Sequence, residues 1–140
     1  MIQRLQSVYL LLGALCIMSV AFLDDVWQSQ AAETQVWFVP ALAVLGAVTA
    51  LAAVTTIFLY KSRGRQVRLI VVIQFMTLAF LALLSGGLFL TGDFAFQGGD
   101  AGPAVLLVFA LPVTAYVLFY LARRGVQRDI NLVKSMDRLR

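Results

Sequence analysis

The stretch "LIVVIQFMTLAFLALLSGGLFL", residues 69–90, contains no Asp, Glu, Lys, Arg or His. A hydrocarbon core ~30 Å thick is crossed by about 20 apolar residues in a helix, so this run alone is long enough to span a bilayer. It lacks the apolar/polar alternation of a membrane strand, and in lipid its backbone groups must be bonded within the segment, so it reads as an α-helix. Three further runs of the same kind occupy 5–23, 36–60 and 104–122, again without Asp, Glu, Lys, Arg or His.

The rest of the chain fits that reading. Of 140 residues, 61% are hydrophobic and 13% charged, more apolar surface than a soluble domain of this size can bury. The expected fold is all-α: a single membrane domain over 1–140, built as a four-transmembrane-helix bundle. Its helices are expected at about 5–26, 36–60, 67–91 and 103–124, joined by short extracytoplasmic loops and followed by a basic, amphipathic tail over 125–140. The first run also resembles a secretory signal, with Arg4 before it and Ser19-Val20-Ala21 as a small-x-small site. It is expected to be retained as a span.

Charge sets the expected orientation. The 11 basic residues lie before the first run (Arg4), between the second and third (Lys61, Arg63, Arg65, Arg68) and after Ala122, whereas Asp24, Asp25, Glu33, Asp93 and Asp100 occupy the other two connections. The positive-inside bias then puts both termini and the 61–68 loop in the cytoplasm. Trp27 and Trp37 fall at the outer boundary and Tyr9, Tyr60, Tyr116 and Tyr120 toward the inner one, as interfacial belts do. The expected location is a bacterial inner membrane, crossed four times.

Small residues suggest how the spans pack. Ala43, Gly46, Ala47, Ala50 and Ala53 recur on roughly one face of the second span, and Ala79, Ala82 and Gly86 form a shorter series on the third. Such series let helix backbones approach in lipid, so these two spans are expected to meet along them. Pro112 removes a backbone donor inside the fourth span and is expected to kink it.

Little here asks for an enzyme. The chain has no His and a single Cys, Cys16, so an imidazole base, a His-ligated metal or haem and a CxxC pair are all missing from it, and no cofactor is expected. Cys16 reads as a small packing residue. Nucleic-acid binding by the basic loop is not expected, because about eight residues between spans carry no aromatic platform and topology already accounts for their charge. The polar residues deepest in the spans are Gln74 and Thr77, for which an interhelical hydrogen bond is the simpler role and a polar lining the functional one. The tail places Val126, Ile130, Val133 and Met136 on one side of a helix, with Asp129 and Asp137 intruding, which suits a helix lying on the cytoplasmic leaflet or against a partner.

Three segments, "IQRLQSVYLLL" at 2–12, "YKSRGRQVRL" at 60–69 and "LVKSMDRLR" at 132–140, resemble a family of small bacterial four-helix membrane proteins known as domain of unknown function 4293. The resemblance implies four helices with these motifs in the cytoplasm, and it brings no activity. Gln3, Arg4, Gln6, Lys61, Arg63, Arg65, Gln66, Arg68, Asp137 and Arg138 then form a candidate cytoplasmic docking surface, held for example by Asp137 with Arg63, Arg65 or Arg68. The expected function is that of a non-enzymatic structural or accessory subunit. It would dock anionic headgroups of membrane lipids, a larger membrane protein complex or further copies of itself. The alternative is a small transporter or channel subunit that works as an oligomer.

Overall fold

A computed structural model describes residues 2–59, 62–92 and 103–137. All regular structure in them is helical: α1 (Ile2–Ser19), a 3-10 turn (Val20–Phe22), α2 (Asp24–Trp27), α3 (Gln30–Thr34), α4 (Phe38–Phe58), α5 (Arg63–Thr91) and α6 (Pro103–Asp137). Of these, α1 with its 3-10 extension, α4, α5 and α6 are long and apolar enough to cross a membrane. Each packs on its neighbour in sequence, and α1 closes against α6, so the four form a ring.

Burial follows helical periodicity. On α5 the buried set is Gln66, Ile70, Ile73, Gln74, Thr77, Phe80, Leu84, Gly87 and Leu88, and on α4 it is Phe38, Leu42, Gly46, Thr49, Ala50, Ala53 and Thr56. Steps of three and four residues hold one face of each helix toward the ring's interior. The remaining faces expose Val44, Leu51, Phe58, Phe75 and Leu106, all apolar, as a lipid-facing surface requires. The buried hydroxyls do not stay unbonded: Thr49, Thr56 and Thr77 donate to the carbonyls of Leu45, Ala52 and Ile73, four residues back in their own helices.

Aromatic rings seated on glycines set the helix spacing. A Cβ on Gly46 would lie 3.2 Å from the Phe80 ring, and one on Gly13 would lie 2.5 Å from Phe119. A Cβ on Gly87 would run into the ring of Phe38. α4 and α5 therefore do pack closely, along part of the expected α4 series but not along the expected α5 series. Ala43 and Ala47 are exposed while Gly46, Ala50 and Ala53 face inward. On α5, Ala79 and Ala82 are exposed and Gly86 looks onto open space, the contact being made by Gly87. One residue along a helix turns the side chain by about 100°, so neighbouring glycines serve opposite faces.

Pro112 is buried inside α6, which is helical on both sides of it. The tail and the first connection differ from expectation. α6 continues into the tail as far as Asp137, so the tail is an extension of the fourth span and not a separate helix lying across the leaflet. The first connection, expected as a short loop, holds α2 and α3. Ser29 accepts from the amide of Ala32 at 3.2 Å, capping α3, and its hydroxyl donates to Val26 at 2.7 Å. Trp27 Nε1 donates to the Ala21 carbonyl at 2.7 Å, and Val26 and Ala31 are buried, so this connection is fastened onto the bundle. The second connection's Asp93 and Asp100 lie outside the described residues. Gly92, at φ 75°, ends α5 in the left-handed conformation that glycine adopts without strain.

Candidate functional site

The end of the bundle where α4 finishes and α5 starts gathers most of the polar side chains predicted to matter. Gln6 of α1 lies over Gly125 of α6, where an added Cβ would be 2.9 Å from the glutamine's Cγ. Gln66 of α5 donates from Nε2 to the Thr56 carbonyl of α4 at 3.4 Å. Two turns deeper, Gln74 accepts from Arg123 Nη1 of α6, also at 3.4 Å. Arg63 donates from Nη1 to the Asp129 carbonyl at 3.4 Å, tying the first turn of α5 to α6. Every helix of the ring contributes to this polar layer.

The layer is internal, which corrects part of the expected docking surface. Gln6 and Gln66 are 4% and 5% exposed and point into the bundle, so neither is available to a partner on the surface. They are buried because their positions continue the inward faces of α1 and α5, below Leu10 and Ile70 respectively. Gln6 Nε2 is buried without a hydrogen-bond partner, a cost of roughly 1–3 kcal/mol if it stays dry. Gln74 and Thr77 are also buried, at 5% and 1%, and so face the interior of a single bundle.

The basic segment, expected as a loop before a helix starting at about 67, is helical from Arg63 on, and the first turns of α5 divide its charges. Arg63 is turned toward α6, whereas Arg65 and Arg68 are exposed on the outward side of α5. These two, three residues apart, line an open groove of about 430 Å³ together with Leu59 at the end of α4 and Leu69. Lys61, Arg138 and the side chains of Gln3, Arg4 and Asp137 lie outside the described residues, as does the expected pairing of Asp137 with the loop arginines. Arg123, counted from the sequence only among the basic residues after Ala122, and Asp129, read only as a charge intruding on the tail's apolar side, prove to be the partners of Gln74 and Arg63. No spacing rule could have found them, since they are 49 and 66 positions away.

The Asp129 carbonyl meets Arg63, the first residue of α5. Residues 130–137 of α6 extend about 12 Å further along the helix axis. Ile130 is still partly packed, but Leu132 and Val133 are 55% and 47% exposed. Arg124 and Arg128 are exposed along the same helix.

At the opposite end, an apolar cavity of about 180 Å³ lies between α1, α2 and α4, bordered by Ile17, Val26, Trp27, Leu42, Gly46 and Phe80. It presents no group that could take part in acid–base or nucleophilic chemistry. Cys16 is half-buried and packs against the apolar core. Among the described residues, no three His, Cys, Asp or Glu side chains come together in a way that could hold a metal ion.

No curated protein and no solved structure matches the chain. A family model does, over residues 2–139, so that both the polar layer and the projecting helix end fall within it; the chain belongs to the family described as Domain of unknown function (DUF4293).

Proposed function

We infer that this multi-pass protein is a non-enzymatic accessory subunit of a larger assembly in the inner membrane, with both termini in the cytoplasm, and that it docks its partner through the projecting end of α6. The observation that carries this reading is the unbroken run of α6 from the span to Asp137, with Leu132 and Val133 exposed beyond the bundle. A helix that only fixed topology would need basic residues there and no apolar pair. The orientation rests on charge: Arg65, Arg68, Arg124 and Arg128 share this end, while Asp24 and Glu33 lie at the other. The rival transport reading has less support. Gln74, Thr77, Thr49 and Thr56 are turned inside one bundle, and the three threonine hydroxyls are bonded to their own helices, so they line no path between copies.

The test is mild-detergent extraction from native membranes, with quantitative mass spectrometry of what co-purifies with the wild type and with a Leu132→Ser, Val133→Ser variant. Docking through this surface predicts that a protein recovered in fixed ratio with the wild type is lost with the variant while thermal stability is unchanged. Equal recovery from both would remove the projecting end from the function. Orientation is checked separately by labelling Ser135→Cys in a Cys16→Ser background from either side of sealed vesicles.

A further inference from the structure

α5 carries an outward strip that the bundle does not use. Arg65 and Arg68 stand at its top, and Val72, Phe75, Ala79 and Ala82 follow them down the same face, all exposed. Three- and four-residue steps keep these side chains in line along the helix. From Arg68 to Ala79 the strip descends about 16 Å at ~1.5 Å per residue, close to half of a ~30 Å hydrocarbon core.

We propose that the groove between the end of α4 and the start of α5 holds the phosphodiester headgroup of an anionic phospholipid, with an acyl chain lying down the α5 strip. Two guanidiniums on one helix face supply planar, forked donors suited to phosphate oxygens. Leu59 and Leu69 give the groove apolar walls at the level where the uncharged 69–90 run begins. The groove is open, about 430 Å³, as a headgroup that stays in contact with water requires. The third arginine of the loop is occupied elsewhere, on the Asp129 carbonyl, which leaves Arg65 and Arg68 as the pair facing the groove. The strip beneath favours a lipid over a free phosphate. Ala79 and Ala82 make it shallow at the depth an acyl chain reaches, and both are exposed. The site rests on reading this end of the bundle as lying at the membrane boundary, and it shares no residue with the projecting end of α6, so the two proposals fail separately.

The experiment uses the full chain in nanodiscs of phosphatidylcholine with a minor fraction of phosphatidylglycerol, released into the gas phase for native mass spectrometry. The wild type is expected to retain phosphatidylglycerol in preference to phosphatidylcholine. Arg65→Gln with Arg68→Gln should lower that preference about thirty-fold, the effect of two basic groups at an anionic surface. Arg124→Gln with Arg128→Gln removes the same charge from exposed positions on α6 and should leave the preference unchanged. Equal losses from both pairs would mean general charge attraction and would overturn the site. Displacement of the lipid by millimolar inorganic phosphate would reassign it to a free anion and likewise overturn the proposal. So would a wild-type dimer that falls apart in the Arg65, Arg68 variant, since the occupant would then be a second copy. Circular dichroism in detergent confirms that each variant keeps its helices.

Discussion

The two ends of this bundle are held by different means. At the acidic end, rings sit on glycines: Phe38 against Gly87 and Phe80 against Gly46, with Trp37 edge-on to Phe38 at 6.3 Å and 82°. At the basic end the helices are joined by amides and guanidiniums, Gln66 to Thr56, Gln74 to Arg123 and Arg63 to Asp129, all at 3.4 Å. The first kind of contact has almost no room to give, because an added methyl group meets a ring. The second is long, and its Arg63 and Arg123 are only half-buried. The acidic end is thus limited by shape and the basic end by polar pairing.

That contrast can be broken most directly at Gly87. Gly87→Leu drives a side chain into Phe38 and is expected to cost ~1–3 kcal/mol, the usual penalty for overpacking. Thermal unfolding in detergent, followed by circular dichroism, measures it, and an unchanged midpoint would mean that Phe38 moves aside freely. At the other end Gln74→Leu removes the acceptor for Arg123 and is expected to cost about 1 kcal/mol, as interhelical hydrogen bonds in membranes do. A double-mutant cycle with Arg123→Gln should return most of that as coupling. If the two substitutions simply add, the long Gln74–Arg123 bond contributes nothing.

Smaller effects sharpen the comparison. Gln6→Met replaces an amide whose Nε2 has no partner with an apolar chain of similar length, so stability should hold or rise by up to about 1 kcal/mol. A fall greater than that would reveal a bonded water at Gln6. Least of all is expected from Gly86→Leu, beside the sensitive Gly87 but facing open space, with a change within ~0.5 kcal/mol. Were Gly86 as sensitive as Gly87, the assignment of inward and outward faces on α5 would be wrong.

Parts of this architecture are legible without coordinates. Residues 69–90 announce a span through length and the lack of charge, and Pro103 and Gly92 mark the ends of α6 and α5 by their backbone chemistry. Ser29 followed by "QAAE" is a capping signal that identifies α3, although it is easily passed over in a segment read as a loop. The candidate site is only half legible. Arg65 and Arg68 are conspicuous as charge, but their outward direction, with Gln66 between them facing in, appears only once α5 is placed against α4.

The sequence by itself determined that there are four apolar helices and how charge is shared between their connections, since crossing lipid depends on the composition and length of each segment taken alone. Only the tertiary structure decided which face of each helix turns inward. In water that choice is written as a division between apolar and polar sides, but lipid is as apolar as Leu or Phe, so a buried Leu84 and an exposed Leu90 carry no label that tells them apart. The inward faces are instead chosen by shape, at Gly13, Gly46 and Gly87, and by the few polar groups at Gln6, Gln66, Gln74 and Thr77 that must be kept out of the hydrocarbon.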